Sequence, residues 1–135
     1  MATHAADLKN GFIYGTSLAP TGLRTSSANG TGIDCQNGND QCAVIITIGT
    51  ATDGTHTFTV EQSKNNNSAD EGGAADAYGA VPNADTVAVT SANANSVIAQ
   101  RFTRSKRFAR SVVTVSGATT GASYSATVVS PKRLF

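Results

Sequence analysis

Tryptophan is absent from this chain and leucine is scarce: four residues of 135, against 17 valines and isoleucines. That imbalance speaks against a helical bundle, which leans on leucine. It speaks for an all-β domain, because β-branched side chains are stiff at χ1 and pack well on a pleated surface. With only three tyrosines and five phenylalanines, the core has to be built from small and β-branched side chains. No apolar run approaches the roughly 18 residues of a membrane-spanning helix, so no membrane partner is expected. The opening Met1-Ala2-Thr3-His4 has neither a basic nor an apolar leader region. No secretory signal is read there, and the chain is expected to be made in the cytoplasm.

Residues that carry chemistry are few. Of the two histidines, His4 belongs to a polar N-terminal stretch and His56 sits beside a turn, where an exposed polar side chain is expected. No Ser-His-Asp grouping can be formed, and no glycine-rich phosphate loop leads into a helix. The nine carboxylates are scattered through loops without an acid–base couple. The sequence therefore names no catalytic residue, no metal ligand set and no cofactor, and an enzyme is not expected.

What the chain does have is β pattern. The length is that of one domain. Val44-Ile45-Ile46-Thr47-Ile48 is nearly continuous β-branched chain, expected to be buried on both sides for part of its length. Asp53-Gly54 reads as a turn, and Thr57 to Glu61 then alternates, with Phe58 and Val60 on one side. The spacing predicts one hairpin over 43–63. A second is predicted over 106–129, with Lys106 to Val115 paired to Ala122 to Val129 across Gly117–Gly121. Shorter strands are expected at 11–15, 33–35, 75–81 and 87–89, while 93–100 reads as either a helical turn or a strand. About eight short strands at roughly ten-residue spacing predict a single antiparallel β-sandwich over 11–130. A flexible arm, 1–10, precedes it and a short tail, 131–135, follows.

Net charge is +1 but divided. Residues 1–100 hold nine carboxylates against three cations, net −6, and residues 101–135 hold seven cations and no carboxylate, net +7. Arg101, Arg104, Lys106, Arg107 and Arg110 form the sharpest cluster, with Lys132 and Arg133 further on. The cluster suits a solvated sheet face, a protein interface facing acidic residues, or a phosphate-tracking patch. Phe102 and Phe108 interleave it as a single-strand binder needs. Nucleic acid is disfavoured because the acidic first hundred residues balance the charge. The Arg107 and Arg110 end is expected at the sandwich rim, paired with carboxylates of another copy or of a partner protein. Cys35 and Cys42 flank an Asn-Gly turn. They read as a close pair, either bridged across strands or left as two buried thiols, and a zinc site lacks two further ligands.

Two stretches carry a family resemblance. One is Gly32-Ile33-Asp34 followed by Ala43 to Gly49 and Thr52 to Ser63. The other is Lys106-Arg107-Phe108-Ala109-Arg110 running into Val112 to Gly117. Together they resemble the small structural proteins of tailed bacteriophages, in particular head decoration or cement proteins. The resemblance implies a jelly-roll-like sandwich, located on the virion, that binds the outside of a major capsid protein shell as a homo-oligomer, a dimer or trimer. Alternatives are a tail, head–tail or head-fibre-base component, and a carbohydrate-binding module on the same sandwich. The last is disfavoured by the lack of tryptophan.

Overall fold

The alternation within 43–63 does make two strands, but they lie in different sheets. The computed structural model describes residues 9–69 and 73–133. In chain order its strands are β1 Phe12–Leu18, β2 Ala28–Asn29, β3 Ile33–Asp34, β4 Gln41–Ala51, β5 Thr55–Ser63, β6 Gly79–Ala80, β7 Asn83–Ala84, β8 Val87–Val89, β9 Ser96–Thr103, β10 Phe108–Ser116 and β11 Ala122–Pro131. A front sheet runs β1-β11-β4-β9-β7, and a back sheet runs β2-β10-β5-β6, with β3 also on β10 and β8 also on β5. No α-helix occurs among the described residues. The ambiguous 93–100 segment resolves into a 3₁₀ turn, Ser91–Asn93, with a Thr90 capping box, and then β9.

Both predicted hairpins are corrected by the register. β4 pairs with β11, from Ala43 opposite Val129 to Ala51 opposite Ala122. β5 pairs with β10, from Thr55 opposite Ser116 to Ser63 opposite Phe108. Residues 43–63 and 108–129 thus form one long two-stranded ribbon, bent over at 52–54 and again at 117–121 so that it enters both sheets. An antiparallel ribbon wrapped into two packed sheets is a jelly-roll sandwich. The sequence signal misread was glycine: Gly54, Gly117 and Gly121 have φ of +85°, +69° and +88°. Positive φ serves a corner between sheets as well as a hairpin turn.

The two corners are stacked and clasped. The Asp53 carboxylate accepts the backbone N–H groups of Thr119, Thr120 and Gly121, the last at 2.7 Å. The Thr52 N–H donates to the Gly121 carbonyl at 3.0 Å. These bonds, Gly121 foremost and Thr120 next, hold the Asp53 carboxyl below its usual 3.8. A lowered folded-state value means that the clasp stabilises the fold above the unfolded carboxyl value and stops doing so as pH falls through the folded one. Thermal melts of wild type and Asp53→Asn should therefore differ at neutral pH and converge as pH is lowered below about 4. A gap that stays constant down to acid would remove the clasp from the account.

Inside the sandwich the alternation holds. Val44, Ile46, Ile48, Tyr124, Ala126 and Val128 of the front sheet meet Phe58, Val60, Ala109 and Val113 of the back sheet, all buried. Phe58 meets Tyr124 edge-on at 4.9 Å between centroids, a favoured aromatic geometry. Burial on both sides of β4 is not found. On the front sheet's outer face Ile45 and Ala43 are only half-buried and Thr47 is exposed. The predicted strand over 75–81 shrinks to Gly79–Ala80. The sandwich also extends past its predicted end, since Pro131 still pairs with Phe12 and the Lys132 N–H donates to the Gly11 carbonyl. Most of the predicted arm and the last two tail residues lie outside the described residues.

Candidate functional site

The basic segment folds onto carboxylates of its own chain. Arg110 lies directly opposite Glu61 on β5, and its Nε and Nη2 donate to Glu61 Oε1 at 2.9 and 2.6 Å. Its guanidinium also stacks 4.1 Å from the Tyr78 ring centroid. Arg107 forks onto both oxygens of Asp34 at 2.9 and 2.7 Å. That fork, ahead of the Gln36 N–H bond, holds the Asp34 carboxyl below its usual range. Lys106 reaches Asp76 at 3.0 Å, and the Lys64 N–H and then Lys106 lower the Asp76 carboxyl as well. The expectation that Arg107 and Arg110 draw their carboxylates from another copy is therefore corrected. Asp34 and Glu61 sit on strands that flank β10, so the carboxylate-rich first part of the chain neutralises the basic part internally. The result is an ordered charged face on the back sheet.

Arg101 is separate from that face. It is on β9 in the front sheet, its side chain 81% exposed, with Asp85 at 3.5 Å. Beside it an open polar groove of about 460 Å³ runs between Gln41, Asn83, Asp85 and Thr103.

Arg104 is buried, which corrects its assignment to an interface. Its Nη2 donates to the carbonyls of Cys35 at 2.6 Å and Gly38 at 2.7 Å. Nη1 donates to the Lys106 carbonyl at 2.9 Å, and Nε to the Asn39 carbonyl at 3.2 Å. No carboxylate takes part in these bonds. The guanidinium gathers the 35–39 turn around itself by backbone oxygens alone. Arg133 closes the same turn from outside, Nε to the Gly38 carbonyl at 3.0 Å, while Lys132 beside it is exposed.

Both cysteines line this turn. Cys35 and Cys42 are buried and free. Of the two alternatives read from the sequence, the described state is the pair of thiols. Burial pushes the Cys35 thiol up to about 11, with the nearby Cys42 adding to the rise. At pH 8 its reactive thiolate fraction is then about one in a thousand. A thiol reagent should find neither cysteine in the folded protein at that pH and both after unfolding in urea; rapid native labelling of Cys35 would contradict this burial.

His56 is buried, not exposed as expected. Its Nε2 lies 3.1 Å from the Asp53 carbonyl, and its Nδ1 lies 2.8 Å from the Tyr124 hydroxyl. A carbonyl only accepts, so Nε2 donates, and in the neutral ring Nδ1 accepts from the tyrosine. Burial raises the Tyr124 hydroxyl to about 12, keeping that proton in place. The pair pins the interior of the corner that Asp53 clasps outside. Sequence reasoning missed it because Tyr124 is 68 residues away.

Compared with protein families, with curated proteins and with solved structures, the chain has no significant match.

Proposed function

We propose that this protein is a structural component of a tailed-phage virion, a decoration or cement protein that binds the outer surface of the major capsid protein shell and stabilises it. The observation that carries the reading is the back-sheet face. Parts of the two stretches behind the resemblance, 33–34 and 55–63 of the first and 108–116 of the second, come together there as β3, β5 and β10, while Ala43 to Gly49 lies in β4 of the front sheet. Their long cations are already fixed on neighbouring carboxylates. A partner therefore meets a set pattern of charge, and little side-chain freedom remains to be lost on binding. Arg–carboxylate forks also give orientation, which a repeating shell needs at every copy. The Thr-, Ser- and Asn-rich surface suits a chain that stays soluble before assembly.

A carbohydrate-binding role has less support. Tyr124 is buried, Tyr78 lies against Arg110, and only Tyr14 among the tyrosines is half exposed, so stacking platforms for sugar are short. The test is immunogold labelling of purified virions from cells that produce the protein. Gold spread over heads is expected. Gold confined to the tail or neck would transfer the protein to a tail, head–tail or fibre-base role, and unlabelled virions would end the structural reading.

A further inference from the structure

Among the described residues six strands bound the two sheets and five of them are short. Two-residue β7 covers only Phe102 and Thr103 of β9, so residues 96–100 are also an uncovered edge, which ends where Asp85 takes the N–H and carbonyl of Arg101. β2, β3, β6 and β7 are two residues long and β8 is three, too short to template a neighbour. β1 runs for seven residues at the front-sheet edge. Its first part, Phe12-Ile13-Tyr14-Gly15-Thr16, has no charge and no proline, and its one bulge comes only after Thr16. These are the devices by which edges are usually protected, and this edge lacks them.

The backbone of that edge is open in a definite pattern. The Gly11 carbonyl is taken by the Lys132 N–H at 2.9 Å, and Phe12 faces Pro131, which has no N–H to give. Antiparallel alternation then turns the N–H and C=O of Phe12, Tyr14 and Thr16 away from β11. None of these groups has a backbone partner among the described residues. Beyond them the edge closes, since the Ser17 carbonyl accepts the Thr31 N–H at 2.7 Å.

The side chains of the same three residues belong to the front sheet's outer face, in rows such as Tyr14–Val129–Ala43–Arg101 and Thr16–Thr127–Ile45–Ala99. Among the described residues Arg101 is the only charged one that the register places on that face, with Asp85 beside it at 3.5 Å. Tyr14 and Val97 are 50% and 64% exposed there.

We propose that β1 is a self-pairing edge, at which a second copy of this chain adds its own β1 antiparallel about a two-fold axis through Tyr14. The occupant follows from symmetry and charge. Exposed groups at positions 12, 14 and 16 read the same in both directions about Tyr14, so an identical strand satisfies them without offset. Phe12 of each copy then bonds Thr16 of the other, and Tyr14 bonds its equivalent. The strand from Phe12 to Thr16 carries no charge, and Lys9, whose carbonyl accepts the Tyr14 hydroxyl, is exposed beside it, so pairing with a second copy buries no charge along the strands. The tyrosines become cross-strand neighbours on one continuous front face. The proposal gives the homo-oligomer a specific interface, and it stands apart from shell binding.

The test is sedimentation velocity on the purified full chain, without any shell, for wild type, Tyr14→Pro and Tyr14→Lys. Proline is tolerated on an edge strand where the N–H faces outward, and lysine is a natural edge blocker. Wild type should be dimeric at high micromolar concentration, with the Phe12, Tyr14 and Thr16 amides slow to exchange. Both variants should be monomeric and should melt as dilute, monomeric wild type does; if the proline variant unfolds, the lysine variant decides. A monomeric wild type would overturn the proposal. So would a Tyr14→Lys chain that still dimerises, or a monomer whose edge amides are slow because its own chain covers them. Since no virion enters this experiment, its failure and that of the capsid reading are separate.

Discussion

Arg104→Ala is expected to lower unfolding stability by about 3–5 kcal/mol, because it removes four charge-assisted hydrogen bonds from a buried turn at once. Against a usual total of about 5–15 kcal/mol, that is a large fraction. The guanidinium answers four carbonyls, of Cys35, Gly38, Asn39 and Lys106; the Gly38 N–H, Arg133 and the Ser130 hydroxyl each reach one of them as well, but none of these donors ties the four together. Arg104→Lys should recover only part of the loss. An ammonium is a compact point donor, while these oxygens are spread around a planar fork. Urea unfolding of the three proteins checks this, and the reagent accessibility of Cys35, whose carbonyl is one of the four, should rise in the same order. If alanine cost under about 1 kcal/mol, the range of an ordinary hydrogen bond, the turn would be held by Arg133 and the Ser130 hydroxyl instead.

Gly121→Ala is the second large effect. A Cβ there would stand 1.9 Å from the Arg24 carbonyl oxygen, on a backbone with φ of +88°. Arg24 cannot retreat freely, because it exchanges two backbone bonds with Ala122, at 2.8 and 3.2 Å. Left-handed strain adds to the clash, and together about 3–4 kcal/mol should be lost. Gly117→Ala is the control: its φ is +69°, but a Cβ would meet nothing within 4 Å. It should cost only the conformational penalty, about 1–2 kcal/mol. Equal losses in the two variants would show that positive φ alone, not the packing of Arg24 against Gly121, matters at this corner.

Faces were legible in the sequence because alternation is local. Phe58, Val60, Tyr124, Ala126 and Val128 point inward as period-two reading requires. Sheet membership was not legible, since Gly54 and Gly121 carry the same signal at a corner as at a hairpin. Charge partners were hidden for a different reason. Arg107 finds Asp34 across 73 residues of sequence and Arg110 finds Glu61 across 49, distances over which no spacing rule operates. Arg104 was the hardest to read. Between Thr103 and Ser105 it resembles any solvated loop arginine, and only the convergence of a distant turn's carbonyls makes burial affordable.

The bent ribbon also has a consequence for how the protein is made. β4 is finished when the ribosome has read Ala51, yet its partner β11 begins only at Ala122. At about 5–20 residues per second, the nascent chain spends roughly 4–14 seconds with Val44 to Ile48 emerged and that partner unmade. For that interval one side of its most β-prone segment is unpaired, and until β9 is complete at Thr103 both sides are. The Asn-rich stretch that follows β5 dilutes that hazard during synthesis, and conditions that slow translation between residues 64 and 121 should raise the insoluble fraction before they alter the finished fold.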